Sequence, residues 1–284
     1  MKQSRVIGID LGATNIRGSV VTQDGIQKIH SARIRSAGTM EEVLEDVYAL
    51  TDAIMEQGIA GIGIGVPSVV DIDTGVVYDV QYIPSWKEVP LKALMESRYG
   101  VPVYVNNDAN CFALGEYYFG KGKGERDMIG LAIGTGIGAG LIINRHLYAG
   151  ANCGAGEFGM VESLDHCYEY YAAGQSFQNI YGADGQQVYE LAKQADKQAL
   201  EWYAELGTHL GNCIKTIMYT YDPALIVMGG SVRHAYPYFQ QTMWERIKTF
   251  AFTKSIDKLK IELSELDNSG ILGAAGLYFD ANES

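Results

Sequence analysis

Val6-Ile7-Gly8-Ile9-Asp10-Leu11-Gly12-Ala13-Thr14-Asn15-Ile16-Arg17-Gly18-Ser19-Val20-Val21 decides the architecture. Val6 to Ile9 is a β-rich run that stops at Asp10, and Gly12-Ala13-Thr14 is a glycine-rich turn. Ile16 to Val21 resumes as a second strand, Asp24-Gly25 is a hairpin turn, and Ile26 to Ile34 reads as a third strand. The same pattern returns later. Met128 to Ile133 is a strand, and Gly134-Thr135-Gly136-Ile137-Gly138-Ala139-Gly140 is a glycine loop. Leu141 to Ile143 continues as strand, with a turn at Asn144-Arg145 and a return from Leu147-Tyr148.

Working outward, apolar residues at Val43, Leu44, Val47, Leu50 and Ile54 mark an amphipathic helix over Met40 to Glu56. Ala60 to Val66 is a glycine-interrupted apolar strand closed by Pro67. Pro90 to Tyr99 is a helix stopped by Gly100, Val101 to Val105 a strand, and Asn107-Asp108 opens a helix running to about Phe119. Past the second glycine loop the chain is mostly helical from Ala172 to Tyr221. A strand over Ala224 to Met228 then enters Gly229-Gly230-Ser231. A helix, a strand near Lys260 to Leu263 and a last helix over Gly270 to Tyr278 follow. Strands alternating with helices argue for α/β, and the duplicated opening argues for two related lobes.

Composition narrows the function. The chain has 284 residues, 47% hydrophobic and 20% charged, which suits a soluble enzyme of about two domains. Acidic residues outnumber basic ones by 34 to 22, a net charge of -12 that repels a phosphate backbone, so no nucleic-acid partner is expected. The cysteines Cys111, Cys153, Cys167 and Cys213 form no CxxC pair and read as reduced thiols of a cytoplasmic protein. The start Met-Lys-Gln-Ser-Arg leads straight into the first strand, which reads as no signal peptide, and no apolar stretch is long enough for a membrane span.

Three glycine segments stand at strand ends: Asp10 to Asn15, Gly134 to Gly140 and Gly229-Gly230-Ser231. Successive loop N–H groups form anion-binding nests, and Thr14 adds a hydroxyl. Each alone is equally a tight turn using glycine for positive φ; together they favour a nucleotide clasp. None fits GxxxxGK[ST], which removes the P-loop. Asp108, in Val105-Asn106-Asn107-Asp108-Ala109-Asn110, reads either as a helix N-cap or as the carboxylate that accepts a hydroxyl proton. Asn107 offers both amide atoms to hydroxyls. Glu157, in Gly154-Ala155-Gly156-Glu157-Phe158-Gly159, and Glu169, in Cys167-Tyr168-Glu169-Tyr170-Tyr171, are either surface acids or hydroxyl acceptors.

Taken together these segments resemble the ROK family of sugar kinases and repressors, nearly end to end. Asp10-Leu-Gly-Ala-Thr14 is similar to its first phosphate loop, with Ala13 in place of a glycine. Gly63-Ile-Gly-Val-Pro67-Ser68 resembles its G-x-G-x-P-G turn, and Tyr82-Ile-Pro-Ser-Trp86 its N-L-P-x-W. Val105 to Asn110 with Leu114-Gly115-Glu116 is close to N-D-A-N…A-L-G-E. Gly134 to Gly140, Gly154 to Gly159 and Gly229 to Ser231 match the second phosphate loop, A-G-E-x-G-H and the adenosine segment.

The resemblance implies an α/β, two-lobed sugar kinase/actin-like (ribonuclease H-like) fold with a duplicated βββαβαβα core. Its N-terminal lobe would be residues 1–107 joined by the C-terminal helix 269–284, and its C-terminal lobe residues 108–268. It implies ATP-dependent phosphorylation of a hexose, glucose first, with N-acetylmannosamine, N-acetylglucosamine, fructose or a glucoside as alternatives. Asp108 would be the general base. Asn107, Glu157 and Glu169, with Pro67 and Ser68, would line the sugar. Gly12, Ala13, Thr14, Asn15, Gly134, Thr135, Gly136, Gly229, Gly230 and Ser231 would hold ATP, and Asp10 would position Mg²⁺ indirectly. A cytoplasmic homodimer is implied as well.

One departure stands out. Met160 replaces the family histidine, and Ser163 to Glu169 is short with one cysteine, so no zinc is expected. A repressor needs a helix-turn-helix ahead of the first strand, where five residues stand before Val6. A non-catalytic sugar sensor and an actin-like ATPase are the other rivals.

Overall fold

The computed structural model describes residues 4–282. Residues 1–3 and 283–284, the two ends of the expected N-terminal lobe, lie outside the described residues. The first half of the chain forms β1 (Arg5–Leu11), β2 (Asn15–Thr22), β3 (Gly25–Ile26), β4 (His30–Arg33), α1 (Met40–Ile54) and β5 (Ile59–Val66). Next come β6 (Val69–Asp71), β7 (Val76–Tyr78), β8 (Glu88–Val89), α2 (Leu91–Tyr99), β9 (Val103–Asn107) and α3 (Asp108–Phe119). The second half gives β10 (Met128–Ile133), β11 (Ile137–Ile143), β12 (His146–Leu147), β13 (Glu162–Ser163), β14 (His166–Cys167), α4 (Tyr168–Ala172), α5 (Ser176–Tyr181) and α6 (Gly185–Lys193). It continues with α7 (Lys197–Tyr221), β15 (Leu225–Gly229), α8 (Tyr236–Ile247), α9 (Thr253–Lys258), β16 (Lys260–Leu263) and α10 (Ser269–Asn282).

The duplication is visible in the sheets. One has the order β3-β2-β1-β5-β9, with β4 also on β2, and the other β12-β11-β10-β15-β16. In each, a glycine hairpin is followed by two strands that join in parallel. The expected third strand over Ile26 to Ile34 is two short pieces. The chain leaves the ladder between β3 and β4, where the Ser19 hydroxyl donates to the Lys28 carbonyl at 3.0 Å.

Alternation explains β1 and β5. Ile7, Ile9, Ile62 and Ile64 pack into a core with α1, where Val43, Val47 and Leu50 are buried. The glycines between them face α10. A Cβ at Gly8 would sit 2.1 Å from the Ile271 carbonyl oxygen, and one at Gly63 1.7 Å from that of Ala274. The interrupting glycines therefore let a helix lie directly on the sheet. Thr39 caps α1 in a reciprocal capping box with Glu42. Gly100 closes α2 in the left-handed conformation, at φ 66°.

The chain divides into two compact units. The first holds residues up to Arg126, Gly140–Ala155 and Glu265 onward; the second holds Asp127–Ala139 and Gly156–Ser264. The lobe boundary drawn at 107/108 falls inside the first unit. The physical reason is α3, which lies along α10 so closely that a Cβ at Gly273 would meet the Cys111 carbonyl oxygen at 1.6 Å. In the second unit α7 and α8 cross at Gly207, whose Cβ would lie 2.4 Å from the Phe239 carbonyl oxygen. Among the described residues no helix is long and apolar enough to cross a membrane.

Candidate active site

In the first unit, β1, β5 and β9 run parallel, with Asp10 paired to Gly65, and Gly65 and Val66 paired to Asn106 and Asn107. Their carboxyl ends set Asp10, Pro67-Ser68 and Asn107-Asp108 along one edge of the sheet. That is where open α/β sheets bind ligands.

At the β9–α3 junction the N-cap is Asn107. Its Oδ1 accepts from the Ala109 N–H at 2.8 Å, and its backbone is extended at φ -63°, ψ 149°. Capping had been one reading of Asp108, and the structure corrects it. Asp108 is already inside the first helical turn, so its neighbour takes the cap. Asp108 is exposed, in the first turn at the positive end of α3. The other end of the Asn107 amide is also engaged, donating to the Ser68 carbonyl at 3.3 Å. Asn107 therefore ties the β9 end to the turn after β5. In that turn the Ser68 hydroxyl donates to the Tyr78 carbonyl.

The first glycine loop is closed by the Gly12 N–H on the Asn15 carbonyl at 2.9 Å, and the Ile34 N–H donates to the Thr14 carbonyl at 3.1 Å. The Asn15 amide donates to the Thr14 hydroxyl at 3.0 Å, and both residues are exposed, while Ala13 is half-buried. Asp10 Oδ2 accepts from Arg17 at 2.6 Å, its partner directly across the hairpin. The start of α10 lies against the same carboxylate, since a Cβ at Gly270 would sit 2.7 Å from Asp10 Cγ. Mg²⁺ takes one or two protein carboxylates and completes its shell with water and phosphate oxygens. One half-buried carboxylate beside a glycine loop fits that indirect role. Cys111 reports that the two acids share a neighbourhood. Burial first, then the charges of Asp108, Cys153 and Asp10, hold its thiol well above the ordinary range.

In the second unit, Gly134 donates to the Gly136 carbonyl at 2.9 Å, and Gly174 donates to the Gly134 carbonyl at 2.7 Å. Gly230, at φ 76°, sits where a Cβ would be 2.2 Å from the Ile133 carbonyl oxygen, so Gly229-Gly230-Ser231 lies beside the second loop. Thr135 and Ser231 are exposed there. Glu169 stands under the second loop: Oε2 accepts from the Ile137 N–H at 2.8 Å, and Oε1 accepts from the Gln175 amide at 3.2 Å. Glu157 is reached by solvent, yet its carboxyl is enclosed enough that desolvation raises its pKa, with the Glu169 charge adding to the rise.

The shortened segment holds together through rings. β13 and β14 pair as a small hairpin, Glu162 with Cys167 and Ser163 with His166. His166 stacks on Tyr170 at 3.8 Å, and Tyr171 stacks on His209 at 4.8 Å. Tyr171 donates to Asp165. Met160 is exposed. Among the described residues no group of three or more His, Cys, Asp or Glu side chains is placed to hold a metal ion.

Three partners escaped the sequence reading. Arg17 could have been found by counting the hairpin register back from Asp10. Gln175 and Cys153 have no local signal, because they reach Glu169 and Asn107 only through tertiary contacts.

A family model described as ROK family matches residues 6–281. The chain belongs to the ROK family. A ROK relative, the glucokinase of Streptomyces coelicolor, is 30% identical over 260 residues, covering 80% of this chain and 81% of that protein. The xylose repressor of Bacillus subtilis is 27% identical over 297 residues, covering 96% of this chain and 77% of the repressor. The crystal structure of a ROK family glucokinase from Streptomyces griseus, in complex with glucose and AMPPNP, matches with a TM-score of 0.78 and 27% identity. That match covers 96% of this chain and 99% of the other. The mixed α/β fold is therefore that of the ROK sugar kinases, and the family includes both kinases and repressors.

Proposed function

We propose that this chain is an ATP-dependent hexose kinase, with glucose the first candidate and N-acetylhexosamines, fructose and glucosides behind it. The observation that carries the reading is the β9–α3 junction. Asn107 does the capping, while Asp108 stands exposed in the first helical turn, on the same strand-end row as Asp10 and Ser68. The similarity to two Streptomyces glucokinases supports it.

In this mechanism Asp108 accepts the proton of the attacking sugar hydroxyl, a role worth roughly 10²–10⁴-fold in rate. The first loop, Gly12, Ala13, Thr14 and Asn15, and the second, Gly134, Thr135 and Gly136, would meet phosphate oxygens with the exposed Thr14 and Thr135 hydroxyls and with loop N–H groups other than those of Gly12 and Gly134, which close the turns, and Gly229 to Ser231 would lie toward the nucleoside. Asp10 would hold Mg²⁺ indirectly, and a bound ion would offset the phosphate charge. Glu157 accepts sugar hydroxyls. Glu169 does so as well, while also bracing the second loop. The reading includes a cytoplasmic homodimer without resident zinc.

The test is ADP release over a panel of glucose, N-acetylmannosamine, N-acetylglucosamine, fructose and glucosides. Sugar-stimulated ADP release from one of them supports the kinase. Sugars that raise the melting temperature without any ADP release would make the chain a sensor.

A further inference from the structure

Behind the Asn107-Asp108 junction lies a buried polar knot that the mechanism above does not use. Asn106 and Asn110 are 3% and 1% exposed, and the Asn106 Oδ1 accepts from the Asn107 N–H at 2.8 Å and from the Asn110 amide at 2.9 Å. The third member is Cys153, 4% exposed, carried in by the Ala149–Ala155 loop that the Ala155 N–H closes on the Ala149 carbonyl at 3.1 Å. Its thiol donates to Asn106 Oδ1 at 2.7 Å. Its sulfur accepts from the Asn107 N–H at 3.3 Å and from the Asn110 amide at 3.4 Å.

Cys153 holds this place in an unfavourable backbone conformation, φ 62°. A residue with a Cβ is strained there and glycine is not, so the fold favours glycine and the sequence supplies a thiol. Strain of this kind persists where surrounding contacts fix it, and it clusters at functional sites. The contacts here converge on the residue before the proposed base. We propose that Cys153 is a positioning residue for phosphoryl transfer. Its thiol fixes Asn106 and the Asn107 N–H, and so the direction in which the chain leaves β9 and places the Asp108 carboxylate. This rests on the kinase reading for its consequence in rate, and on the geometry alone for the bonds. A thiol suits the position because sulfur, on its long bond, reaches all three partners at once; a hydroxyl donates and accepts but sits farther back.

The experiment compares Cys153→Gly, Cys153→Ser and Cys153→Ala with wild type in kcat, both KM values, melting temperature and hydrogen exchange at the Asn107 amide. Cys153→Gly separates stability from positioning, because relief of the positive φ offsets the lost bonds. Its melting temperature should stay at or near wild type while kcat falls by about ten- to a hundredfold, the cost of misplacing a reacting group slightly. Its ATP KM should not change. Cys153→Ser should recover part of the rate, Cys153→Ala none of it, and Asn107 amide exchange should quicken in Cys153→Gly and Cys153→Ala. Cys153→Gly with kcat within twofold of wild type overturns the proposal, as does a loss of rate that only tracks a loss of melting temperature. Wild type inactive on every sugar defeats the kinase reading instead. In that event unchanged Asn107 exchange in the variants overturns the positioning role, and faster exchange upholds the bonds on which it rests.

Discussion

The hairpins β1–β2 and β10–β11 share a plan and differ in what stiffens them. The first carries its own acid: Asp10 sits at the end of β1 and is paired with Arg17 directly across the hairpin. The second has no acid of its own and takes Glu169 from α4, whose carboxylate bonds the Ile137 N–H and the Gln175 amide. A duplicated backbone has thus been finished with two different side-chain solutions. The first is legible from neighbouring residues, and the second depends on chain brought in from elsewhere. Glu169 consequently answers to two demands, the loop and the proposed sugar, whereas Glu157 answers to one.

Among the tests of this comparison, the largest expected effect separates those demands. Removing the Glu169 carboxylate leaves the Ile137 N–H without its charged acceptor, a loss of roughly 1.5–3 kcal/mol. Glu169→Ala should therefore raise both the ATP KM and the sugar KM by about ten- to a hundredfold. Glu157→Gln should raise only the sugar KM. An unchanged ATP KM in Glu169→Ala would break the comparison, since the brace would then do nothing for the loop.

A smaller effect concerns the loop glycines. A Cβ at Gly136 would fall 2.2 Å from Glu169 Oε2, whereas nothing lies within 4 Å of one at Gly134. Gly136→Ala should cost about 1–3 kcal/mol in denaturant unfolding, and Gly134→Ala no more than about 0.5 kcal/mol. Equal costs would mean that Glu169 yields freely and is no brace.

The smallest effect is the pH dependence of Glu157. Its carboxyl is raised in the folded chain, by burial and then by Glu169, so the folded state keeps this proton to a higher pH than the unfolded state does. Its contribution to stability is present at low pH and is lost as pH rises from the ordinary carboxylate range through the folded value. Relative to wild type, Glu157→Gln should therefore melt higher at pH 7 than it does at pH 4. The opposite trend would show that Glu157 is stabilised as an anion.

Much of this was readable in the sequence where the signal is local. Both glycine hairpins, α1, β5 and the helix after Asn107 follow from periodicity and turn residues within a few positions. The small sheet β6-β7-β8 was not, because its strands are two or three residues long and show no alternation to read. The allocation of α3 to the first unit was hidden as well. Gly115 in α3 and Gly273 in α10 reveal it only once the two helices, far apart in the chain, are seen to lie against each other. The candidate site divides the same way. Asp10, Asn107 and Asp108 were placed by their strand ends, but which of the last two caps the helix is a matter of backbone angle. Cys153 and Gln175 belong to the site through contacts that no spacing records.

The account stands most directly on Asp108. Because Asn107 holds the cap, Asp108→Asn keeps the capping bond at the helix start while it removes the charge and the basicity. With the sugar that proves active, Asp108→Asn should still bind ATP and sugar by calorimetry, while sugar-stimulated ADP release falls by roughly 10²–10⁴-fold. ADP release within a few-fold of wild type, from a variant that folds and binds, would contradict the central claim.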